Sequence, residues 1–362
     1  MKYEILKSLK DSFVLLALAF FSAIVFAGAE KPKYEIKFAS VAPEGSTWTK
    51  VMRQLDSEVR EATEGEVGFK IYAGGVQGDE PDVIRKMRFG QLHSAGFTGT
   101  GLGEILPEIR VLELPFLFQT KDEVDYITET LNDRFDAAFR EKGYVLLGWT
   151  EVGFVYLFTN KPVRSQAEMQ GVKIWTWQGD PLAKTLFEEM GVNPLPLSVT
   201  EVLTGLQTGM LDAVYCAPYA MVGLQWFTRV KYMLNLPLTN ATGAVLMTRK
   251  LFDQIPPEKQ KILLEICRKR LRELTELTRK DNRDAIEEMI KSGITLSARP
   301  EQDELERFQQ VGTRVEQRLI GQLYPEELLH EVKQALQSYR SDHTGAPPIS
   351  PRPRGDIGGG TE

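Results

Sequence analysis

The chain has 362 residues, of which 42% are hydrophobic and 26% are charged. This composition is typical of a globular protein, and the length is sufficient for two lobes that each bury a core. The formal net charge of −6, without a basic cluster interleaved with aromatic residues, argues against a nucleic-acid partner.

The first thirty residues have the pattern of a secretory signal peptide. Three lysines (Lys2, Lys7 and Lys10) precede the apolar run FVLLALAFFSAIVFAG, and the small-residue sequence AGA follows at residues 27–29. We therefore predict a cleaved signal peptide over residues 1–29 and a periplasmic mature protein. No cysteine follows the apolar run, which argues against a lipoprotein. The run is just long enough to cross a bilayer, so an uncleaved membrane anchor is the alternative.

Taken in chain order, the predicted elements alternate between strands and helices. Strands at YEIKFAS, GFKIYAG and SAGFTGT are separated by amphipathic helical segments, and a charged helix is expected over residues 121–142. Two strands, YVLLGWTE and GFVYLFTN, lead to a second series in which VKIWTWQ, NPLPLSV and AVYCAP each precede a helix. The strand GAVLMTRKLFDQI comes next. A helix then begins at Pro256-Pro257 and, if continuous to Lys291, is on the order of 50 Å long.

Two such series in tandem predict an α/β fold with a largely parallel sheet and a hinged, two-lobed shape with a ligand cleft between the lobes. The polar middle of the long helix, residues 278–284, is typical of a helix that crosses from one lobe to the other. We predict that residues 30–152 and 243–278 form lobe I, and that residues 153–242 and 279–343 form lobe II. Residues 344–362, rich in proline and glycine, are predicted to be a disordered tail.

Motifs for catalysis, metals and cofactors are weak. No Gly-x-Ser-x-Gly elbow or Walker loop occurs, and three histidines without metal-ligand spacing disfavour a zinc site. Glu151 and Asp180 could form the carboxylate pair of a secreted hydrolase, the least favoured alternative, but Asp180 before Pro181 also has the pattern of a helix N-cap. We therefore expect a protein that is not an enzyme and has neither metal nor cofactor. The pairing of Cys216 with Cys267 is left open.

Aromatic residues give a stronger signal, because they recur near predicted strand ends and first helical turns. In open parallel sheets these are the positions where ligands bind. Alternation along Trp175-Thr176-Trp177 places two indoles on one face, and burial in a core is the alternative for that face. The aromatic residues at such positions are Trp48, Phe97, Trp149, Phe154, Trp175, Trp177, Tyr215 and Tyr219. We expect several of them to line one cleft.

Three long segments resemble one family. GGVQGDEPDVIRKMRFGQLHSAGFTGTGLGEILPEIRVLELPFLF is similar to a segment in which a gGqlG loop precedes a short helix and an lPFlF strand end. GVKIWTWQGDPLAKTLFEEMGVNPLPLSVTEVLTGLQTGMLDAV resembles the family's central stretch, and GAVLMTRKLFDQIPPEKQKIL resembles its return strand and helix. Over residues 34–343 the chain thus resembles the DctP-type solute-binding proteins of tripartite ATP-independent periplasmic (TRAP) transporters.

The resemblance implies a periplasmic-binding-protein-like fold with two α/β lobes, strands shared between them and a long spanning helix. It implies no catalysis: a solute closes the lobes, and the closed form docks on the large and small TRAP membrane subunits. The open state would dominate without solute, and solute contacts from both lobes would favour the closed state. An alternative is a module that presents its solute to another periplasmic protein, such as a tetratricopeptide-repeat protein.

The chain departs from the family where the resemblance implies groups that bind a solute carboxylate. Trp175 and Val155 stand where arginines are expected, and DAVYCAP (residues 212–218) lacks the family's asparagine. An indole cannot replace a guanidinium for an anion, because it offers an apolar face and one N–H donor. We therefore predict an apolar or weakly polar solute, an aromatic acid with its carboxylate at the rim, or a cation, rather than a C4-dicarboxylate or sialic acid.

The predicted ligand contacts combine aromatic walls with polar groups that would orient the solute. Trp175 is the first choice and Trp177, on the same face, is the second. The complete predicted set is Trp48, Gln77, Phe97, Thr98, Trp149, Glu151, Phe154, Trp175, Trp177, Gln178, Asp180, Tyr215, Pro218 and Tyr219.

Overall fold

The computed structural model describes residues 31–343, so the predicted signal peptide and disordered tail lie outside the described residues. The strands are Tyr34–Ala39 (β1), Val67–Tyr72 (β2), Ser94–Thr98 (β3), Tyr144–Thr159 (β4), Trp175–Trp177 (β5), Leu195–Leu197 (β6), Ala213–Cys216 (β7), Tyr232–Met233 (β8), Thr239–Thr248 (β9) and Thr295–Leu296 (β10). The α-helices are Thr47–Ala62 (α1), Glu80–Arg88 (α2), Gly99–Ile105 (α3), Lys121–Thr130 (α4), Asn132–Glu141 (α5), Pro181–Glu189 (α6), Val202–Gln207 (α7), Pro218–Gly223 (α8), Arg249–Phe252 (α9), Pro257–Lys291 (α10), Gln302–Leu319 (α11) and Glu326–Asp342 (α12). Short 3₁₀ helices lie at Pro107–Glu113, Ala167–Met169, Val199–Glu201 and Trp226–Arg229.

The first lobe is built on a mixed sheet in the order β2-β1-β3-β9-β4. Strand β1 pairs in parallel with β2 and β3, whereas β9 pairs antiparallel with both β3 and β4. In this sheet the predicted parallel arrangement therefore holds for three of the five strands, because β9 returns from the other lobe and inserts between β3 and β4. Helix α1 begins after its N-cap Ser46, whose hydroxyl accepts a hydrogen bond from Thr49 N, and its apolar face packs on this sheet.

One long strand connects the two lobes. The segments predicted as two strands, YVLLGWTE and GFVYLFTN, form the single strand β4. Its first part pairs with β9, and residues 156–159 pair with β7 of the second lobe. The pairing is continuous because the irregularities between Leu146 and Gly148 and between Glu151 and Gly153 are absorbed as bulges. Gly153 has a φ of +113°, a conformation that glycine adopts without steric cost.

The second lobe carries β7, β8 and β10 at the far end of β4 and, beside them, a separate parallel sheet, β5-β6. Helix α10 runs without interruption to Lys291, as predicted, and its 35 residues make it about 50 Å long. It packs against α1 and β4 and also against α8 of the second lobe. The fold is therefore the predicted two-lobed α/β architecture with shared strands and a spanning helix.

One predicted helix is divided in the structure, and the state of the two cysteines, which the sequence left open, is now defined. The helix predicted over residues 121–142 is divided into α4 and α5 at Leu131, and this turn lets Ile127 and Phe135, one from each helix, reach the same core. Both cysteines are free: Cys267 is buried and Cys216 is half-buried. Among the helices of residues 31–343, none combines the length and apolar character that crossing a membrane requires.

Candidate functional site

A cavity of about 180 Å³ lies between the two lobes. Its wall comes from β3 and α3 on one side, from β5, β7, α6 and α8 on the other, and from β4 and β9 between them. A single water needs only about 10–15 Å³ by this kind of measure, so the space suits a small organic molecule. Eight of the predicted residues line it: Trp48, Phe97, Thr98, Trp175, Trp177, Asp180, Tyr215 and Tyr219.

Aromatic rings form one side of this wall. Trp175 is only 2% exposed; the centroid of its ring lies 5.4 Å from that of Tyr215, 5.7 Å from that of Trp177 and 5.2 Å from that of Trp226. Its Nε1 donates to the carbonyl of Leu197 at 3.0 Å, which satisfies the one polar atom of the indole. Trp175 thus belongs both to the core of the second lobe and to the cavity wall, whereas Trp177 is more exposed.

A charged cluster that the sequence reasoning missed forms the polar end of the cavity. Arg110, Glu113 and Glu80 line the wall together with Asp180. Arg110 Nη2 lies 3.1 Å from Asp180 Oδ1, and Arg110 Nε lies 3.0 Å from Glu113 Oε2. The Nε contact is an ion pair without a hydrogen bond, because that N–H finds no acceptor among the described residues. The available signal was an arginine and a glutamate three residues apart within the largely apolar run ILPEIRVLELPFLF.

Burial changes the protonation of this cluster. Desolvation raises the pKa of Glu113 to about 7, although the adjacent Arg110 opposes the shift. Desolvation also raises the pKa of Glu80 to about 8, against the hydrogen bonds that Thr98 donates to it. For Arg110 desolvation is outweighed by Asp180 and Glu113, which raise its pKa and keep the guanidinium charged. The cluster therefore sets one positive charge against as many as three carboxylates.

Hydrogen bonds cross the cleft beside the cavity. Asp79, the N-cap of α2 in the first lobe, accepts three of them at Oδ2: from Trp177 Nε1 at 2.9 Å, from Ser198 Oγ at 2.8 Å and from Val199 N at 3.1 Å. At another edge the hydroxyl of Tyr219 accepts from the backbone N–H at the start of α1 at 3.0 Å. The two lobes are thus joined around the cavity, which is the geometry of a closed state.

Six of the predicted contacts lie outside the cavity wall. Two of them engage partners in neighbouring helices instead. Trp149 donates its Nε1 to Asn132 Oδ1 at 2.9 Å and packs edge-on against Phe135. Glu151 accepts a hydrogen bond from Arg279 of α10 at 2.6 Å. The guanidinium of Arg279 supplies the positive charge that compensates the burial of this carboxylate. Burial raises the pKa of Glu151, and Arg279 opposes the shift.

The other four of these residues are held by local structure. Gln77 accepts hydrogen bonds from Lys86 Nζ at both its backbone and its side-chain oxygens. Phe154 packs between two core clusters. Pro218 is the first residue of α8, and Gln178 lies in the turn before α6. Which of the predicted residues contact a solute stays a prediction.

The structure bears on two kinds of site that were weighed from the sequence, a metal centre and a pair of carboxylates. Within residues 31–343 no group of three or more His, Cys, Asp or Glu side chains is placed to hold a metal ion. Asp180 caps α6, as the sequence predicted, by accepting from Leu182 N at 3.0 Å and Ala183 N at 3.2 Å. Glu151 is bound to Arg279 outside the cavity, so these two carboxylates do not flank one solute as a glycosidase requires.

Comparison with known proteins gives a consistent result. The family model "Bacterial extracellular solute-binding protein, family 7" (DctP) matches residues 38–322. A solute-binding protein of Chromohalobacter salexigens is 36% identical over 165 residues, which are 45% of this chain and 49% of that protein, so the chain spans about half the length of this relative. The 2,3-diketo-L-gulonate-binding periplasmic protein YiaO of Escherichia coli is 24% identical over 244 residues, 67% of this chain and 74% of that protein.

A solved structure has the same fold. The sugar acid binding protein DctPAm from Advenella mimigardefordensis, crystallised in complex with galactonate, superposes with a TM-score of 0.80 at 19% sequence identity, over 85% of this chain and 99% of that chain. At this identity the likeness establishes the two-lobed fold. None of these matched proteins gives support for a tetratricopeptide-repeat partner.

Proposed function

Residues 38–322 match the family model, so the chain belongs to family 7 of the bacterial extracellular solute-binding proteins, the DctP-type solute-binding proteins of TRAP transporters. We propose that it captures an apolar, aromatic or weakly polar solute. The proposed lobes are residues 30–152 with 243–278 and residues 153–242 with 279–343. They close on the solute, and the closed form delivers it to the large and small TRAP membrane subunits.

The composition of the cavity wall carries the proposal. Four large aromatic side chains, Trp48, Trp175, Trp177 and Tyr215, line the cavity. Apolar area removed from water contributes about 25 cal/mol per Å², and stacked or edge-on rings add about 0.5–1.5 kcal/mol for each pair. Val155 lines the same wall, so both positions at which the resemblance implies arginines are apolar. A flat, weakly polar solute gains most from such a surface.

A sugar acid is the second candidate, because one guanidinium does lie in the wall. The relatives named above include a 2,3-diketo-L-gulonate-binding protein and a complex with galactonate, and Arg110 could pair with a carboxylate of that kind. We rank this candidate lower, since Arg110 already contacts Asp180 and Glu113. An acidic solute would have to compete with both.

The test begins with the solute that the protein carries. Native mass spectrometry of protein purified from the periplasm should identify an aromatic or weakly polar compound. Titration of that compound into stripped protein should change tryptophan fluorescence. Trp177→Ala and Trp177→Phe both lose the hydrogen bond to Asp79, so the difference between them measures the ring: Trp177→Ala should bind up to about tenfold more weakly than Trp177→Phe, as expected for one lost aromatic contact. Tight binding of galacturonate to the wild type, weakened equally by the two variants, would contradict the aromatic-solute proposal and favour the sugar acid.

Delivery requires a separate measurement. Proteoliposomes that contain the large and small TRAP subunits should take up the identified solute only when this protein is added. Capture without uptake, in the presence of active membrane subunits, would favour the alternative of a module that presents its solute to another periplasmic protein.

A further inference from the structure

The polar end of the cavity has an unusual balance of charge. Of the described residues that line the cavity, Arg110 is the single lysine or arginine, whereas Glu80, Glu113 and Asp180 are all acidic. The four side chains are almost completely buried. The pKa of Glu80, raised to about 8, keeps that carboxyl largely protonated, so the negative charge comes from Asp180 and, above its pKa of about 7, from Glu113. At pH 7.5 a solute in the cavity therefore meets more negative than positive charge in a poorly screened environment.

The guanidinium in this cluster is already occupied from across the cleft. Arg110 lies in the 3₁₀ helix beside α3 of the first lobe, and Asp180 lies at the start of α6 in the second lobe. Arg110 Nη2 is 3.1 Å from Asp180 Oδ1 and 3.2 Å from Asp180 Oδ2. Tyr215 and Thr100 each donate a hydroxyl hydrogen bond to Asp180 Oδ2 at 3.4 Å. The carboxylate that pairs with this cleft arginine is therefore Asp180 of the protein itself, and not a carboxylate of the solute.

We propose that Asp180 determines the charge of the solute: by pairing with Arg110 when the lobes close, it excludes carboxylates and admits uncharged or cationic aromatic molecules. The inference rests on the function proposed above and names the charge class of its solute. A carboxylate placed near Arg110 would lie against Asp180 and Glu113 as well, and like charges repel strongly where water is excluded. An uncharged ring avoids that repulsion, and a cation gains from both the acidic cluster and the aromatic faces.

The variant that tests this role is Asp180→Asn. Asparagine is as good an N-cap as aspartate, so α6 keeps its first turn, while Arg110 loses one of its two counter-ions. The matched control is Asp79→Asn, the same chemical change at another N-cap that faces across the cleft. The hydrogen-bond partners of Asp79 are all uncharged (Trp177, Ser198, Val199 and the backbone of Glu80).

The probes are benzoate, benzamide and benzylamine, which share one ring and differ in charge. Isothermal titration at pH 7.5 should show the wild type binding benzamide or benzylamine at least about tenfold more tightly than benzoate, since one charge-assisted interaction corresponds to at least a factor of ten. Asp180→Asn should shift the ratio of the benzoate and benzamide dissociation constants toward benzoate by at least about tenfold. Asp79→Asn should weaken every probe and leave that ratio within about threefold of the wild type.

The outcomes separate the two proposals. A wild type that prefers benzoate overturns charge selection but keeps solute capture. A wild type with the expected preference that Asp180→Asn does not change overturns the role of Asp180 alone. Binding of none of the probes, by the wild type or by Asp180→Asn, counts against charge selection and against capture of aromatic solutes together. If Asp180→Asn and Asp79→Asn shift the ratio of the benzoate and benzamide dissociation constants equally, the effect is a general one on lobe closure, and this result also overturns the inference.

Discussion

Replacing Asp79 by asparagine should weaken solute capture without unfolding the protein. Asp79 Oδ1 accepts from Glu80 N at 2.7 Å, while Oδ2 accepts the three hydrogen bonds from the second lobe. Asparagine still caps α2 through its one oxygen. Its NH₂ group then faces Trp177 Nε1 and Val199 N, which are both obligatory donors. Two cross-cleft hydrogen bonds are therefore lost, and only Ser198, whose hydroxyl can also accept, keeps a partner.

The loss should act almost entirely on lobe closure. A hydrogen bond to a charged acceptor contributes about 1.5–3 kcal/mol, so two lost bonds cost about 3 kcal/mol at the lower end. If the open state dominates without solute, destabilising the closed state raises the apparent dissociation constant by the full factor. We expect an increase of about 100-fold with little change in melting temperature, because both partners are hydrated in the open state.

Tryptophan-fluorescence titration gives the dissociation constant, and small-angle scattering with and without solute gives the degree of closure. The control is Asp82→Asn on the exposed face of the same helix, where Arg85 is the one ion-pair partner of the carboxylate within residues 31–343. Such surface pairs contribute about 0–1 kcal/mol. An Asp79→Asn protein that melts normally and binds within about threefold of the wild type would refute the reasoning.

Three further changes have distinct expected outcomes. Trp175→Ala should lower the free energy of unfolding by about 3–5 kcal/mol in urea titration, because the ring is buried among three others, whereas Trp177→Ala should lower it less and reduce affinity more. The pKa of Glu80, raised by burial to about 8, means that the folded state keeps a proton that the unfolded state releases above about pH 5. Glu80 should therefore make stability in urea fall as pH rises from about 5 to 8, by up to about 1.4 kcal/mol per pH unit. Glu113, whose pKa is raised to about 7, adds a slope of the same sign below pH 7, so the decrease between pH 7 and 8 is the part that Glu80→Gln should remove; a decrease there that Glu80→Gln leaves unchanged would contradict the assignment. Gly153→Ala should cost more than about 2 kcal/mol of unfolding free energy, because its φ is +113° and a Cβ would collide with a side chain of α10. Gly45→Ala, at a φ of +80° with open space around the Cβ position, separates backbone strain from that collision.

The sequence predicts the fold well where local pattern decides the structure. Helix α10 follows from a proline pair at its start and from apolar spacing over its length, and both signals lie within the segment itself. The sequence predicts two strands where the structure has the single strand β4. Its continuity depends on pairing with β9, about ninety residues later, and a bulge of this kind leaves no local pattern.

The site was predicted in part for the same reason. Aromatic residues at strand ends are visible locally, and eight of the predicted positions do line the cavity. Arg110 was missed because its significance comes from Asp180, 70 residues further on. Glu151 was included because it is a carboxylate near a lobe crossing, but its partner Arg279 lies 128 residues away and holds it outside the wall. Arg110 lies in the cavity wall and Glu151 outside it because of the oppositely charged residue that each one meets in the fold, and residue type alone does not reveal that partner.

The internal pairing of Arg110 with Asp180 changes how closure must be stabilised. In a cleft whose arginine has no counter-ion from the protein, an anionic solute supplies the counter-charge and much of the free energy of lobe closure. Here Asp180 and Asp79 supply contacts between the lobes that need no solute. The solute's contribution is then mainly apolar: covering about 100 Å² of aromatic wall yields about 2.5 kcal/mol, or a shift of about 60-fold in the closing equilibrium. A shift of that size produces effective capture only if a fraction of the solute-free protein is already closed. The contacts that Asp180 and Asp79 make between the lobes would stabilise that fraction.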